Sequence, residues 1–320
     1  SADMTNHGDG GCDVSGVSQG WINGQWMPIE RMAIGVNDQG FRQAVTAVER
    51  LRTYGGTPHA VSRHFARFQT TLRALGLPLQ HPWMPSSVEA FRERIGQLLQ
   101  RNRPAEDVGI TLFATPGSRN LEGTDAEAGI TLGMHLNTID HDRISSQQHR
   151  GQAMVLGHVR QPDPACWPRG IKVRCRLHYY LADQIARSID PSSVAILRDS
   201  DGRCITETSI ANIAIVHPED PGVIVSPPPQ RVLPGITQGL VEEIAAECGV
   251  PWLHRPISAS ELLRAKEVLM MGTDGGLWPA REIIMPGSDG GADRMVLTRF
   301  REKSSIYQRL RRAWDVRKFD

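Results

Sequence analysis

The fold is decided by the stretch GIKVRCRLHYYLA, which occupies residues 170–182. From Leu177 onward an apolar residue recurs every fourth position as far as Ile189, and this spacing predicts one face of a helix. Lys172 precedes that helix and follows a loop with three prolines, so it lies near a loop–helix junction. A lysine in a dry pocket loses its proton more readily, because burial disfavours the charged form, and its free amine can form a Schiff base with a carbonyl. Most lysines before helices are solvated, so this feature alone does not assign a function.

The composition of the 320 residues excludes several classes of protein. The length suits two domains, and a hydrophobic content of 40% supports buried cores. A net charge of +1 gives no electrostatic reason to expect nucleic acid or a membrane surface as partner, and no apolar run is long enough to span a bilayer. The five cysteines are scattered without metal-ligand spacing, which predicts reduced thiols, a cytoplasmic location and no metal site.

The pattern along the chain predicts an α+β fold in two domains. Residues 1–19 are polar and glycine-rich and are predicted to be a disordered extension, residues 20–160 a small α+β domain, and residues 161–320 a larger β-rich domain. In the small domain we predict a hairpin at 21–27, strands at 45–54, 108–115, 130–136 and 153–159, a helix at 63–75 capped by Ser62, a helix at 87–101, and a polar linker at 139–150.

Three candidate site positions look ordinary when each is judged by pattern alone. Arg67 lies about 80–160° of helical rotation from the apolar stripe of its helix, which makes it a flank or surface residue. Glu207 falls in a break between two apolar strands, as an exposed loop carboxylate would. Residues 233–237 open a helix predicted at 238–248, where Gly235 lets backbone approach a ligand and free N–H groups suit a phosphate. An ordinary capped helix is the commoner meaning of that feature.

Taken in order, the motifs resemble the fold-type IV family of pyridoxal-phosphate enzymes, which contains branched-chain aminotransferases, D-amino-acid aminotransferases and aminodeoxychorismate lyases. The resemblance covers about residues 21 to 300. It rests on Asp38-Gln39-Gly40 through Glu49, Gly56 and Pro58; on His64 with Arg67; on Ile171-Lys172 with Leu181-Ala182; on Thr206-Glu207 with Ser209 and Asn212; on Leu233-Pro234-Gly235-Ile236-Thr237; and on Gly272-Thr273 with Pro279. No single motif is specific, but their ordered combination is.

The resemblance implies a homodimer with pyridoxal 5'-phosphate between the two lobes of each chain, and it implies a role for each matched residue. Lys172 would hold the cofactor and move the substrate proton, and Glu207 would pair with the pyridine nitrogen. Arg67 would clamp the phosphate, in contrast to its position in the helical pattern. The remaining implied positions are Leu233 on the ring face, Gly235, Ile236, Thr237, Gly272 and Thr273 at the phosphate, and Val48 and Asp274 on the substrate side.

The chain departs from the family pattern on the substrate side. The usual Gly-Asp-Gly is Ala44-Val45-Thr46, and the aromatic residue that follows is Val48. The Thr-Arg-Gly turn that grips the substrate carboxylate in D-amino-acid enzymes reads Thr115-Pro116-Gly117, so that arginine is absent. Arg119, or Arg174 and Arg176 beside the lysine, could replace it.

The resemblance therefore predicts an aminotransferase that moves an amino group between an amino acid, of branched-chain or D-amino-acid type, and a 2-oxo acid. An aminodeoxychorismate-lyase-like enzyme is the first alternative, because Arg176-Leu177 after the lysine matches the lyase pattern. Against the lyase, Glu49 stands where that enzyme has a reactive threonine, and Gly272-Thr273 is closer to the aminotransferases. A non-catalytic cofactor-binding paralogue is the second alternative, suggested by the altered segment at 44–48.

Overall fold

The computed structural model describes residues 17–118 and 129–319, in which helices and strands build two sheets. Most of the extension predicted at 1–19, namely residues 1–16, lies outside these residues, and so does the candidate Arg119. The first sheet is antiparallel, with strand order β2-β1-β6-β5-β3-β4. Its strands are β1 (Gln19–Ile22), β2 (Gln25–Pro28), β3 (Ala47–Tyr54), β4 (Thr57–Pro58), β5 (Gly109–Thr115) and β6 (Thr131–Asn137), and the helices in this half are α1 (Gln39–Arg42), α2 (Val61–Ala74), α3 (Val88–Asn102) and α4 (His141–Arg150).

The second sheet has the order β12-β11-β10-β13-β14-β7-β8-β9, with β15 paired to β14. Its strands are β7 (Gln152–Arg160), β8 (Val194–Arg198), β9 (Ile205–Thr208), β10 (Asn212–Val216), β11 (Ile224–Ser226), β12 (Trp252–His254), β13 (Val268–Gly272), β14 (Gly276–Pro286) and β15 (Ala292–Val296). The helices are α5 (Leu177–Ile189), α6 (Ile236–Glu247), α7 (Ala259–Arg264) and α8 (Ile306–Arg317). The last strand, β9, also pairs with β10 through Glu207 and Asn212, so the sheet curls back on itself at that point. This mixed architecture of helices and strands confirms the predicted α+β fold class.

The core of the first half confirms most of the elements predicted there. Helix α2 buries Phe65, Phe68 and Leu72 against the antiparallel sheet, as its apolar spacing predicts. The Asn23-Gly24 turn joins β1 to β2 with both residues at positive φ, which is the conformation of a two-residue hairpin loop.

Two local predictions in this half are wrong. Helix α2 begins at Val61, one position before the predicted cap at Ser62, and the residue preceding it is Ala60 in the left-handed conformation. The predicted linker at 139–150 is helix α4, whose first turn is capped by the carboxylate of Asp140. Contacts distant in sequence hold this polar helix: the hydroxyl of Tyr307 donates to the Gln148 carbonyl at 2.9 Å, and the Gln148 amide donates to the Gly275 carbonyl at 3.0 Å.

Helix α5 confirms the predicted periodicity, but its apolar stripe faces outward. Ala182 and Ala186 pack on the second sheet, whereas Leu177, Leu181 and Ile185 are exposed by 67%, 48% and 48%. A face of this composition is unusual for a surface in contact with water.

The chain passes from the first sheet to the second between β6 and β7. Strand β7 already belongs to the second sheet, ahead of the boundary predicted near residue 160. The chain changes from the first sheet to the second between residues 137 and 152. The domain boundary near residue 160 remains a prediction. Among the residues that the structure describes, none of the helices combines the length and apolarity needed to cross a bilayer.

Candidate functional site

A cavity of about 420 Å³ lies where the two sheets meet, and residues of both halves of the chain line it. All of the candidate site residues contribute to its wall: Val48, Arg67, Lys172, Glu207, Leu233, Gly235, Ile236, Thr237, Gly272, Thr273 and Asp274. The residues that the sequence motifs group together are thus neighbours in space, although their roles remain predictions.

Lys172 is held at the cavity wall through its backbone. Its N–H donates to the hydroxyl of Thr71 at 3.1 Å, and its carbonyl accepts from the N–H of Val48 at 3.0 Å. Burial lowers the pKa of Lys172 to about 8, and the positive charge of Arg67 acts in the same direction. The unprotonated fraction of the amine near neutral pH is therefore far larger than for an ordinary lysine, and attack on a carbonyl requires this free amine.

Arg67 is not the surface residue that helical rotation predicts. Its side chain is only 9% exposed, its Nε donates to the Glu49 carboxylate at 3.1 Å, and its Nη1 donates to the Pro234 carbonyl at 3.0 Å. The helical pattern fails here because the partner of Arg67 comes from β3, a separate element that the pattern does not include. The guanidinium therefore sits at the start of the loop that leads into α6.

A buried carboxylate fixes that guanidinium. Glu49 is fully buried, and Nδ1 of His64 lies 2.6 Å from its Oε1. Burial alone would raise the pKa of Glu49, but the Arg67 charge and the His64 hydrogen bond outweigh it and lower the pKa to about 2. Burial lowers the pKa of His64, so the imidazole is neutral and donates through Nδ1 to the carboxylate.

Glu207 is also buried, which corrects its assignment as an exposed loop carboxylate. The Tyr179 hydroxyl donates to it at 2.8 Å, the Leu233 N–H at 3.1 Å and the Asn212 amide at 3.2 Å. Nη2 of Arg169 lies 3.4 Å away. Burial raises the pKa of Glu207, while the Tyr179 hydrogen bond and the Arg169 charge oppose that rise. A buried carboxyl that is held in place by these hydrogen bonds is suited to share a proton with a basic ring nitrogen.

Sequence reasoning missed Arg169 and Tyr179. Arg169 belongs to the loop at 161–170, which has no periodicity, and Tyr179 lies on the helix after the lysine. Gln161 completes the group, since its carbonyl oxygen accepts from the Arg169 guanidinium. The proximity of Arg169 to the Gly170-Ile171-Lys172 stretch was the one signal available, and it does not identify a partner for Glu207.

Two glycines allow the loops of the cavity to approach other backbone and side chains closely. A Cβ at Gly235 would lie 2.0 Å from Oδ1 of Asn212, and one at Gly272 would lie 2.5 Å from the Ile210 carbonyl oxygen. Helix α6 begins at Ile236, two residues before its predicted start, and no side chain among the described residues caps it. The first N–H groups of α6 and the hydroxyl of Thr237 therefore face the cavity as hydrogen-bond donors for an anion.

The site thus offers three kinds of group around one cavity. Arg67 and the start of α6 suit a phosphate, the amine of Lys172 suits a carbonyl, and Glu207 suits a protonated nitrogen. Asp274 is paired with Arg50 through two hydrogen bonds of 3.0 and 2.9 Å, so its carboxylate is already neutralised by this chain.

Comparisons with known proteins give consistent results. The family model described as "Amino-transferase class IV" matches residues 46–283. A D-alanine aminotransferase from Bacillus licheniformis is 22% identical over 259 residues, which cover 81% of this chain and 86% of that protein. The structure of the branched-chain amino acid aminotransferase from Escherichia coli superposes with a TM-score of 0.79 at 19% identity, covering 94% of this chain and 95% of that one. The T.th. branched-chain amino acid aminotransferase, complexed with N-(5'-phosphopyridoxyl)-L-glutamate, has a TM-score of 0.77 at 20% identity, covering 95% and 94%.

Proposed function

Because the chain belongs to the class IV amino-transferase family, we propose that it transfers an amino group between an amino acid and a 2-oxo acid with pyridoxal 5'-phosphate as cofactor. The observation that carries the proposal is the placement of Lys172, Glu207 and the Arg67–Thr237 anion site around one cavity. These three groups match the aldehyde, the ring nitrogen and the phosphate of that cofactor. The phosphopyridoxyl complex of the T.th. enzyme supports the choice.

The residues of this chain fit the cofactor on chemical grounds. Pyridoxal phosphate, when bound, supplies an electron sink for the bonds at the substrate α-carbon. Arg67 and the α6 donors would bind the phosphate, and the buried Glu49 fixes the orientation of the Arg67 guanidinium. Glu207 would hold the proton at the ring nitrogen, and Leu233, whose N–H donates to Glu207, lines the cavity beside it. Lys172, with its lowered pKa, takes a proton from the substrate and returns it at the reacting carbon.

Transamination is favoured over the lyase reaction by the environment of Glu49. This residue stands where the lyases use a threonine, but it is fully buried and bonded to Arg67 and His64. It is therefore committed to the phosphate site and does not line the cavity beside the substrate. The segment at 44–48, which suggested a non-catalytic paralogue, contributes Val48 to the wall of a cavity that keeps a volume of about 420 Å³.

Steady-state assays with a panel of D- and L-amino acids, each with and without a 2-oxo acid, test the proposal. We expect product only when a 2-oxo acid acceptor is present, because transamination must return the amino group to regenerate the enzyme. Pyruvate released from aminodeoxychorismate without an acceptor would instead support the lyase alternative. A loaded protein that turns over none of these substrates would support the non-catalytic alternative.

We also propose that the protein is a homodimer, with the exposed face of α5 as part of the interface. Leu177, Tyr180, Leu181 and Ile185 present four large apolar side chains on the helix that follows Lys172. A second copy of the chain would remove this surface from water. The same helix carries Tyr179, a partner of Glu207, so the interface would adjoin the site. We propose a cytoplasmic location, which is supported by the free thiols of Cys166, Cys175, Cys204 and Cys248.

A further inference from the structure

The side of the cavity built by the first sheet and α4 is mostly polar. Its lining residues there are Val48, Arg50, Thr111, Asn137, Arg143, Ile144 and Gln147. Only Val48 and Ile144 are apolar. Arg50 is paired with Asp274 and Asn137 with Thr111, but the guanidinium of Arg143 is largely exposed to solvent. An aliphatic side chain placed here would take water from Arg143 and from the amide of Gln147 without replacing the lost hydrogen bonds, and this is unfavourable. This part of the wall is therefore poorly suited to the side chain of leucine or valine.

Arg174 adds a further positive charge to this side. Its N–H donates to the Thr46 carbonyl at 3.0 Å, which fixes the residue beside β3, and its side chain lines the cavity. In residues 17–118 and 129–319 no hydrogen bond or ion pair of its guanidinium is found. Burial and the neighbouring charges of Arg176 and Arg50 all lower its pKa, so the local field is positive and incompletely balanced. An anionic group would relieve this imbalance.

The neighbouring arginines already have partners within the described chain. Asp274 binds Arg50 with two hydrogen bonds. Arg176 donates to the Ser209 carbonyl and lies 4.6 Å from the centre of the Tyr179 ring. Among Arg119, Arg174 and Arg176, the three candidates from the sequence, Arg119 lies outside the described residues and Arg176 is occupied. Of these three, Arg174 is thus the guanidinium left to bind a ligand, while Arg143 on α4, also in the cavity wall, lies 4.0 Å from the carboxylate of Asp140.

We propose, resting on the proposed function, that the enzyme selects amino acids and 2-oxo acids whose side chain carries a carboxylate. Arg174 binds this second carboxylate with its forked N–H groups, and Arg50, held in place by Asp274, adds its positive charge beside it. The polar side chains of Thr111 and Asn137 tolerate the water that accompanies such a group. Branched aliphatic amino acids lack the anion and are poor substrates.

Kinetic constants of Arg174→Met with acidic, small and aliphatic amino acids test this inference. The wild type should prefer glutamate or aspartate, of the accepted handedness, over leucine and valine. In Arg174→Met the KM for the acidic substrates should rise about 10-fold, the low end for a charge-assisted hydrogen bond, because part of the Arg174 side chain remains exposed to solvent. The KM for alanine should be unchanged, and Arg174→Lys should recover part of the loss. Arg73→Met, at an exposed position on α2, controls for the loss of one charge.

Two results would overturn the inference while leaving transamination intact. One is a wild type that prefers leucine or valine to the acidic substrates. The other is an equal loss of all amino acids, alanine included, in Arg174→Met, because Arg174 would then bind the α-carboxylate.

Equilibrium binding provides a second readout that does not depend on turnover. Calorimetric titration of the cofactor-loaded protein with glutarate and with 4-methylvalerate compares an acidic with an aliphatic side chain. We expect tighter binding of glutarate by the wild type and about 10-fold weaker glutarate binding by Arg174→Met. Equal binding of both compounds contradicts the inference even in a protein that shows no transamination, so failure of this inference and failure of the proposed function are separable.

Discussion

At the scale of single residues, the account depends on an amine with a lowered pKa. Because burial and the Arg67 charge lower the pKa of Lys172 to about 8, the fraction of free amine rises with pH around 8 instead of near 10.5. Stopped-flow absorbance should therefore show that the rate of covalent cofactor attachment to cofactor-free protein increases with pH and levels off above about 8. A rate that continues to climb with pH through the range of an ordinary lysine would contradict the lowered pKa.

The carboxyl of Glu207 provides a second residue-scale prediction. Glu207→Gln keeps the shape of the side chain but cannot carry the negative charge that stabilises a protonated ring nitrogen. We expect kcat to fall roughly 10²–10³-fold, the usual cost of removing one preorganised electrostatic group. Binding of the cofactor, measured by fluorescence titration, should change little, because Arg67 and α6 hold the phosphate. Glu30→Gln, at an exposed position, is the matched control; a Glu207 variant with the kcat of this control would disprove the assigned role.

Residue-scale features were predictable only where motifs occur in a recognisable order. Lys172, Glu207 and the loop at 233–237 were grouped by that order, and all of them contribute to one cavity. Helical periodicity predicted the wrong position for Arg67. The pattern distinguishes only apolar core positions from polar surface positions, and it cannot predict a buried charge whose partner lies on another element. Arg169 could not be found, since it lies in a loop without periodicity and its approach to Glu207 depends on tertiary contacts such as the one with Gln161.

At the scale of elements, the contact between β3 and α2 is fixed by the Glu49–His64–Arg67 group. Glu49→Gln leaves the Arg67 guanidinium with less compensation in a buried position, and we expect a loss of about 3 kcal/mol in the free energy of unfolding at pH 7. The pKa of Glu49 is about 2 in the folded chain against 4.5 for an ordinary glutamate. Its ionisation therefore stabilises the fold above pH 4.5, and this contribution is lost as the pH falls from 4.5 towards 2.

Urea denaturation of wild type and Glu49→Gln at several pH values measures this contribution. The difference in unfolding free energy should be constant above about pH 5 and shrink as the pH is lowered. A difference near zero at neutral pH would mean that the group contributes nothing to stability.

Element boundaries were predicted well where local chemistry determines them. The Asn23-Gly24 turn and the start of α3, which Ser87 caps, are local and were anticipated. Helix α4 was mistaken for a linker because its single buried residue, Ile144, leaves no apolar period to detect. Its stability depends on Tyr307 and Gly275, which are far away in sequence.

At the scale of the whole molecule, the outward stripe of α5 predicts how the chain assembles. Leu181→Glu places a charge in the centre of the proposed interface and should convert the dimer to a monomer, as measured by sedimentation velocity. Val316→Glu introduces the same charge at an exposed valine on α8 and should leave the dimer intact. A wild type that sediments as a monomer, or a Leu181 variant that remains dimeric, would contradict this assembly. The sequence revealed the stripe but not its direction, which depends on the small residues Ala182 and Ala186 that face the sheet.

The central claim is that Lys172 carries the cofactor, and one chemical experiment tests it directly. The chain has four lysines, Lys172, Lys266, Lys303 and Lys318, so borohydride reduction of the loaded protein followed by peptide mass spectrometry has few possible outcomes. We predict a phosphopyridoxyl group on Lys172 in the wild type and none in Lys172→Ala, with Lys266→Ala labelled like the wild type. A label on any other lysine, or no label at all, would contradict the account.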